Sequence, residues 1–507
     1  MRLKLIVWFL FILVLALLVR LPGQQWGIRD GENNHYHPDE DRLLRDAYEV
    51  YVGKHPSDYY PLGYPVQVGI TARVLGIETE DFWDLLPVGR AVSLFYALLT
   101  VGLIWFLAAE LGTPPSLRWI PSLCYALSGL PVVYSHYATA DTTLTFFFTA
   151  TILAALKAYR ERMLSWVLLC SFLAGVAIGV KIPFVLLVPV IAVSLRCRHR
   201  WTALLLSFII VPLTAEATCL FSYDFYCIKK MSDMIRLDNV GVVPVHDYLA
   251  NPLVFTFELL PSLGLVIFIL VAAGFFRQIY RCFCERKVNF IKMAPLFWCL
   301  ILPGFLWFVS VCMMPISFPR HIMPLIPLII LLSVVGLNFR GKYVLGVALL
   351  CILYQFAYIS SIEGQYVTDT RAEMDVWLPE NMPKNSFIYY CSYSRLHKWD
   401  SKPLFKWRNE VLFKSDMIES PYVLLHEAFY RRYIRSIVNP LYSYPKYNRV
   451  FHHKGFTKWI QHILKEDGYE EIKRFPVRYW TPELILYKSL LGSFPDFTGD
   501  TVLYRKL

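Results

Sequence analysis

The residues best suited to chemistry stand in one short acidic segment, which follows an apolar run and a polar spacer near the start of the chain. The segment consists of His35, Tyr36, His37, Pro38, Asp39, Glu40 and Asp41. Proline disfavours helix at the preceding residue and suits the first position of a helix, so we predict a helix that begins at Pro38. Asp39 and Glu40 would then lie in its first turn, where the helix dipole stabilises carboxylates. Ionisable residues beside a membrane segment are functional candidates. The alternative is a solvated acidic helix start without chemistry.

The composition of the chain is that of a polytopic membrane protein. Of its 507 residues, 56% are hydrophobic and 18% are charged, and the mean hydropathy is +0.43. A soluble protein of this length would carry more charge. We attribute the net charge of +11 to cytoplasmic loops, because basic residues concentrate on that side of a membrane. No basic stripe with interleaved aromatic residues stands outside those loops, which argues against nucleic acid as a partner.

Eleven apolar runs approach the length that a membrane-spanning helix needs, about 17–25 residues. They fall near residues 4–20, 87–109, 118–134, 141–158, 163–180, 182–196, 201–221, 254–275, 293–314, 321–338 and 343–360. The first run is followed by no small-residue cleavage site, so we predict an uncleaved membrane helix. Many of the eleven cysteines stand inside these runs, and the pair Cys282 and Cys284 has no second pair at zinc spacing.

Lysine and arginine cluster in alternate connections between the apolar runs, which predicts the orientation of the chain. The N-terminus is expected in the cytoplasm, and the acidic segment then lies in a large first extracytoplasmic loop over residues 21–86. We divide the chain into a transmembrane domain over 1–360 and a small C-terminal extracytoplasmic α/β domain over 361–507. The sequence pattern predicts helices over 41–52, 64–75, 371–382 and 456–466 and strands over 386–392, 422–426 and 502–505.

Three further ionisable residues stand at the outer ends of apolar runs. They are Asp141, Lys181 and Arg320. Asp141 has an ordinary interpretation as a helix cap, and the two cations have one as anchors that reach the water. Two acids and two cations at one membrane face also fit sugar transfer from a lipid phosphate. Such a reaction needs a base for the acceptor hydroxyl and cations for the departing phosphate.

In the order and sidedness of its motifs, the sequence resembles the GT-C membrane glycosyltransferases that use polyprenyl-phosphate sugars. The most similar groups are the protein O-mannosyltransferases and the aminoarabinose–lipid A transferases. The motifs are His-Pro-Asp-Glu at 37–40, Asp141 at the start of a span, Lys181 in Gly-Val-Lys-Ile-Pro, Arg-His-Ile-Met-Pro-Leu-Ile-Pro at 320–327, and Asp369-Thr370-Arg371 with Ala372, Trp377, Asn381 and Pro383. The resemblance implies a GT-C-like fold. It also implies sugar transfer, with inversion, from a dolichyl- or undecaprenyl-phosphate donor to an extracytoplasmic protein, lipid or glycan.

The resemblance implies roles for the acidic residues. Asp39 matches the acid proposed to bind or deprotonate the acceptor, Glu40 is its partner, and Asp141 matches a second acid of the same pocket. Some relatives need a divalent metal and others do not. His35, His37 and Asp39 are the candidate ligands for such a metal here, and no other cofactor is implied.

The resemblance also implies a group of substrate-binding residues. Lys181 and Arg320 match positions that hold the lipid phosphate, while His37 and His321 stand beside them in the motifs, His321 where many relatives have tyrosine. We expect Arg320 and Asp39 to line one cavity that opens to lipid on the non-cytoplasmic side.

Two other classes of function fit a polytopic membrane chain. A transporter or flippase of lipid-linked sugars would show paired repeats with broken helices at corresponding positions, and the sequence has no such pairing. A non-catalytic membrane scaffold would not need acids and cations clustered at one face. The predicted location is a bacterial or archaeal plasma membrane, or an equivalent membrane, with lipids around the spans.

Overall fold

The computed structural model of the chain describes residues 2–29, 32–33, 37–56, 61–220, 250–284, 294–312, 319–336, 344–383, 386, 388–390, 401–403, 421–428, 468–494 and 497–507. The chain forms two compact units. The first unit comprises Met1–Leu21, Asp39–Val242 and Phe255–Ile359, and the second comprises Pro22–Pro38, Val243–Val254 and Ser360–Leu507.

The first unit is helical throughout its described residues. Its helices are α1 (Arg2–Leu18), α2 (Pro38–Tyr51), α3 (Gly63–Val74), α4 (Leu86–Glu110), α5 (Trp119–Ala126), α6 (Gly129–Tyr134), α7 (Ala140–Glu161), α8 (Leu164–Lys181), α9 (Leu187–Arg196), α10 (Arg200–Thr218), α11 (Ala250–Leu263), α12 (Leu265–Cys284), α13 (Leu302–Cys312), α14 (Ile326–Gly336) and α15 (Val344–Val367), the last of which continues into the second unit. The predicted start of α2 at Pro38 is confirmed, with its acidic residues in the first turn.

Five apolar helical stretches among the described residues are long enough to cross a membrane. They are Phe82–Glu110, Ala140–Glu161, Leu164–Lys181, Arg200–Thr218 and Ala294–Cys312, and shorter apolar helices accompany them. The class of polytopic helical membrane protein is thereby confirmed, while the count of eleven spans stays a prediction.

Two predicted spans are each broken into two helices. The run 118–134 forms α5 and α6, which are separated at Leu127, and the run 254–275 falls on α11 and α12, which are separated at Gly264 with a φ of +81°. A break leaves helix-end carbonyl groups without intrahelical partners. The buried Gln355 amide of α15 donates to both Leu127 O and Leu263 O at 2.9 Å. The Gln355 side chain therefore supplies a hydrogen bond to one carbonyl group at each break. This matters in an apolar environment, where an unsatisfied carbonyl group is costly.

Glycines bring α8 into close contact with its neighbours. A Cβ on Gly179 would lie 2.8 Å from Ala215 O of α10, and a Cβ on Gly63 of α3 would lie 2.7 Å from Gly179 O. Small residues permit such close helix packing in membranes. The approach fixes the C-terminal end of α8, and with it Lys181.

A methyl group at Gly179 is expected to lower the free energy of unfolding of the first unit by about 1–3 kcal/mol, because the backbone of α10 would have to move. Denaturant unfolding of purified Gly179→Ala in detergent measures this loss. Gly102→Ala on α4 is the matched control, since a Cβ there meets only the Phe9 ring at 3.5 Å. Equal stability of the two variants would show that the α8–α10 contact is looser than this geometry.

The second unit contains a mixed sheet with the strand order β4-β3-β5-β7-β6. Its strands are β3 (Ile388–Tyr390), β4 (Ser401–Pro403), β5 (Tyr422–His426), β6 (Tyr469–Phe475) and β7 (Thr501–Lys506), preceded in the chain by a short hairpin of β1 (Ile28–Arg29) and β2 (Glu32–Asn33). Strand β3 runs parallel to β4 and β5, while β7 is antiparallel to β5 and β6.

The second unit also contains two helices, α16 (Thr370–Asn381) and α17 (Pro482–Leu491), of which α16 packs against the sheet. Apolar residues of α16, including Met374 and Leu378, bury against the sheet. The predicted helix over 371–382 and the predicted strands over 422–426 and 502–505 are present, and the predicted strand over 386–392 is present in part as β3. The predicted helix over 456–466 lies outside the described residues. Helix α17 and strand β6 were not predicted.

Part of the first loop belongs to the second unit. The sequence placed residues 22–38 in the transmembrane domain, whereas in the structure they join residues 360–507. The buried Trp26 indole donates to Asp369 Oδ2 at 2.8 Å. Asp369 caps α16 by accepting from Arg371 N, and its other oxygen accepts from Arg371 Nη2 at 2.7 Å. The buried Trp26 indole, hydrogen-bonded to the buried Asp369–Arg371 ion pair, holds this part of the first loop in place.

A cleft of about 500 Å³ opens beside this network in the second unit. Residues 25–28 of the first loop form one wall, and α16 forms another with Glu373, Trp377 and Glu380. The ring of Phe475 on β6 also lines it. The cleft therefore depends on the loop that Trp26 anchors.

The buried His426 imidazole lies close to the Asp369–Arg371 pair. Burial and the Arg371 guanidinium hold the pKa of His426 well below its usual value of 6.5. Its Nδ1 accepts a hydrogen bond from Ala428 N at 3.2 Å, which requires a neutral ring. Burial alone would raise the pKa of Asp369, but the Arg371 charge and hydrogen bonds hold it below its usual value.

Acidification is expected to destabilise the second unit. In the unfolded chain His426 binds a proton near pH 6.5, whereas the folded unit keeps the ring neutral. The free energy of unfolding of the second unit is therefore highest above this pH and decreases below it. For one proton, the free energy of unfolding changes by at most about 1.4 kcal/mol per pH unit. Protonation of Asp369 lowers it further below about pH 4. Hydrogen exchange of β5 and β7, corrected for intrinsic rates, measures the fall between pH 7 and 5. His426→Gln should flatten it, and an unchanged slope would assign the proton to another group.

Candidate functional site

The first element of the candidate site is an ion pair between the acidic segment and the start of α14. Arg320 lies in the 3₁₀ helix Pro319–Leu325 that precedes α14, and its Nη1 donates to Asp39 Oδ2 in the first turn of α2. The two side chains are largely buried, at 12% and 24% exposure. The sequence predicted that these groups line one cavity, and the structure brings them into direct contact across 281 residues of chain.

The second element is an ion pair between α7 and α8. Asp141 lies in the first turn of α7, where Thr139 is the N-cap, so Asp141 is not the capping residue. Its Oδ1 accepts from Lys181 Nζ. Lys181 is the last residue of α8, because Ile182 adopts the left-handed conformation with φ 60° and Pro183 follows it. A β-branched residue in that region is strained, and such strain concentrates at functional sites.

His321 joins the two ion pairs into one cluster. The charges of Lys181, Arg320 and Asp39 all act on its imidazole ring, so both pairs lie close to it. Its backbone carbonyl accepts from Trp307 Nε1 at 2.8 Å, which anchors this 3₁₀ helix to α13. Five residues that the sequence singled out therefore meet in the first unit. We call Asp39, Asp141, Lys181, Arg320 and His321 the charged cluster.

Glu40 occupies a different environment from its neighbour Asp39. Its side chain is buried and accepts two hydrogen bonds from Arg90, at 3.0 Å from Nε and 3.1 Å from Nη2. Its Oε1 also accepts from Ala138 N at 2.8 Å. With both oxygens engaged, Glu40 ties α2 to α4 and to the turn before α7. The sequence grouped Glu40 with the catalytic acids, and in the structure its two oxygens are occupied by Arg90 and Ala138.

Arg90 and Tyr64 are two residues that the sequence reasoning missed. The buried Tyr64 hydroxyl donates to Gly89 O at 2.7 Å and lies 3.1 Å from Ser93 Oγ. Burial raises the pKa of Tyr64, so the phenol stays neutral beside Asp141. Arg90 stands inside the predicted span 87–109, and a cation there is the kind of signal that singled out Asp141.

The set of candidate metal ligands extends beyond the described residues. His35 lies outside them, and the buried His37 ring contacts the Phe497 ring within the second unit, with the centroids 4.0 Å apart and the ring planes tilted by 51°. Among the described residues, no three histidine, cysteine or acidic side chains form a cluster that could hold a metal ion. A metal at His35, His37 and Asp39, and a substrate contact by His37, stay predictions.

The charged cluster has the chemical groups for reaction at a phosphate-linked carbon. Two cations can bind phosphate oxygens, Arg320 through a planar fork and Lys181 as a point charge. An anion that draws them away would release Asp39 and Asp141. The released carboxylate of Asp39 could then accept a proton from a hydroxyl group.

One family model matches part of the chain. It is described as dolichyl-phosphate-mannose-protein mannosyltransferase and covers residues 82–222, which include α4 to α10 and thus Arg90, Asp141 and Lys181. No curated protein matches the chain in sequence.

Solved membrane-enzyme structures share the fold over most of the chain. The archaeal oligosaccharyltransferase AglB of Archaeoglobus fulgidus, in complex with an inhibitory peptide and a dolichol-phosphate, has a TM-score of 0.52 at 10% identity and covers 98% of this chain and 88% of its own. ArnT of Cupriavidus metallidurans bound to undecaprenyl phosphate has a TM-score of 0.51 at 13% identity and covers 98% and 97%. The A. fulgidus oligosaccharyltransferase with zinc and sulfate has a TM-score of 0.52 at 11% identity and covers 85% and 69%. At these identities the likeness is one of fold.

Proposed function

We propose that the chain is a membrane glycosyltransferase of the GT-C type, which transfers a sugar from a polyprenyl-phosphate donor to an acceptor outside the cytoplasm. Two structures with this fold hold a dolichol-phosphate and an undecaprenyl phosphate, which supports a lipid-phosphate donor. The observation that carries the proposal is the charged cluster, in which the guanidinium of Arg320 and the amine of Lys181 lie beside two carboxylates.

The reaction assigns one task to each member of the cluster. Arg320 and Lys181 exchange their carboxylates for the donor phosphate and neutralise its charge as it departs. Asp39 takes the proton of the acceptor hydroxyl while that oxygen forms a bond to the anomeric carbon and the bond from carbon to phosphate oxygen breaks. The products are the glycosylated acceptor, with inverted configuration, and the lipid phosphate. Asp141 balances Lys181, and the His321 ring lies close to both cations.

The substrates follow from the described family and the shared fold. The family description names mannose and protein, which supports a mannosyl donor and a hydroxyl of a protein as acceptor. The bound inhibitory peptide in one neighbour also favours a peptide over a lipid or glycan acceptor. We assign catalysis to the membrane domain, which holds the charged cluster. We propose that the first loop and residues 361–507 lie on the non-cytoplasmic side.

The experiment that tests the proposal is donor-dependent transfer in membranes that contain the protein. Polyprenyl-phosphate sugars with a radiolabelled sugar are added, and the label is followed into protein, lipid and glycan fractions. Transfer of label from polyprenyl-phosphate mannose to protein is expected. Movement of the intact donor across the bilayer, with no label on any acceptor, would favour a flippase and contradict the proposal.

Removing either cation of the cluster should weaken use of the donor. A charge-assisted hydrogen bond contributes about 1.5–3 kcal/mol, so Arg320→Gln and Lys181→Gln are expected to lower kcat/KM for the donor by about 10- to 100-fold. Lys54→Gln is the matched control, because Lys54 is an exposed cation of the first loop. If the control loses as much activity as the cluster variants, general surface charge accounts for donor binding.

A further inference from the structure

Helix α17 exposes apolar residues and turns its charged residues inwards, which is the opposite of what is expected for a helix on a water-exposed surface. Its outward positions are Pro482, Ile485, Leu486, Ser489 and Leu490. They recur at the spacing of one helical face. Ile485, Leu486 and Leu490 are 51%, 52% and 45% exposed. The outward face therefore bears no charge over a helix about 15 Å long.

The charged residues of α17 are directed into the unit. Glu483 is 2% exposed, beside the buried Leu484 and Tyr487. Lys488 Nζ donates to Asp500 Oδ1 at 2.6 Å and to Val477 O at 2.7 Å. Lys488 thus ties the helix to the segments that follow β6 and precede β7, and the apolar face is what the helix presents outwards.

The segment before α17 is fastened to the C-terminal end of α15. Trp480 N donates to Ser361 Oγ at 3.1 Å, and Gln365 Nε2 donates to Arg478 O at 2.9 Å. A Cβ on Gly364 would lie 3.5 Å from the Trp480 ring, so the indole packs over this glycine. These contacts place the start of α17 beside one defined stretch of α15, residues 361–365.

That stretch is where the composition of α15 changes. The helix is uncharged from Val344 to Ile359 and then reads Ser-Ser-Ile-Glu-Gly-Gln over 360–365. Leu349 and Leu353 on the uncharged part are 56% and 58% exposed, as expected for side chains that face lipid. A switch from apolar to polar composition on such a helix marks the membrane surface, and tryptophan concentrates at that depth. Trp480, which is 56% exposed, is attached at this level.

We propose that α17 and Trp480 lie in the lipid–water interface and dock the second unit on the bilayer surface. An amphipathic helix binds an interface through its apolar face, and the backbone contacts to residues 361–365 set α17 at the matching height. Arg478, which is exposed and precedes Trp480 by two residues, is placed to meet lipid phosphate groups. The inference is independent of the sugar-transfer proposal.

Site-directed spin labelling of the full-length protein in lipid nanodiscs tests this inference. Leu486→Cys and Leu490→Cys carry the label on the apolar face, and Arg505→Cys on β7 is the control, with a side chain 51% exposed in the same unit. Oxygen should relax the labels at 486 and 490 more than a water-soluble nickel chelate does, and the reverse should hold at 505. The unmodified protein, treated with the same reagent, measures labelling of native cysteines.

Two outcomes would overturn the inference. Chelate access at 486 and 490 equal to that at 505 would place the apolar face in water. Loss of access to both reagents, together with dipolar broadening between labels, would show that a second copy of the chain covers the face.

Discussion

Asp39→Asn is expected to lower sugar transfer by about 10³-fold, the range that loss of a general base costs. Asparagine keeps the size of the side chain and can still contact Arg320, but it cannot accept the proton of the acceptor hydroxyl. The donor affinity should change little, because the two cations remain. Transfer of labelled sugar by equal amounts of purified wild type and variant measures the loss.

Asp41→Asn is the matched control for this result. Asp41 stands two residues further along the same helix turn, its side chain is 45% exposed, and it pairs with Arg45 on the surface of α2. Its variant should keep transfer within about twofold, since exposed i,i+4 pairs contribute only about 0.3–0.5 kcal/mol. If Asp39→Asn retains full activity, the base is another group, and if both variants fail, the charge of the segment matters more than one carboxylate.

Glu40→Leu is expected to lower the free energy of unfolding of the first unit by about 3–5 kcal/mol, because it leaves the buried Arg90 charge without compensation. Arg90→Leu should cost a similar amount for the same reason. The double variant should recover much of the loss, since an uncharged pair removes the uncompensated charge. Denaturant unfolding in detergent gives the three values and their coupling.

The surface pair Glu110–Arg160 serves as the control for this cycle. It joins α4 to α7 at 3.0 Å, but the arginine side chain is 48% exposed. Glu110→Leu should therefore change stability by less than about 1 kcal/mol. Additive losses at Glu40 and Arg90, without recovery in the double variant, would mean that Glu40 acts through Ala138 alone.

Local rules predicted the start of α2 and four members of the charged cluster, while the fifth, His321, came from the family resemblance. Pro38 constrains the backbone of its neighbours, and carboxylates in a first turn are a short-range pattern, so both can be read from a few residues. Asp141, Lys181 and Arg320 were found because a charged residue at the end of an apolar run is rare. That these residues lie at the same membrane face was predicted from the distribution of lysine and arginine in the connecting loops.

The sequence placed Asp39 and Arg320 in one cavity, but the individual ion pairs inside the site could not be predicted from it. Nothing local states that Asp39 meets Arg320 while Glu40, one position later, meets Arg90, since these contacts depend on how α2, α4 and α14 pack. The helix breaks at Leu127 and Gly264 were also missed. Hydropathy reports how apolar a run is and does not show whether its backbone hydrogen bonds continue without a break. Helix α17 was missed because its exposed face is apolar, which removes the alternation that marks a surface helix.

Asp39 and Glu40 differ by a single step along α2, and one step turns a helix by about 100°. That rotation directs the Asp39 carboxylate to Arg320 and the Glu40 carboxylate to Arg90. The distance between the two acids along the chain is therefore as informative as their identity. A relative with the same two acids separated by one extra residue would retain the composition of the segment but lose this division of labour, and searches for functional homologues should require the uninterrupted dipeptide.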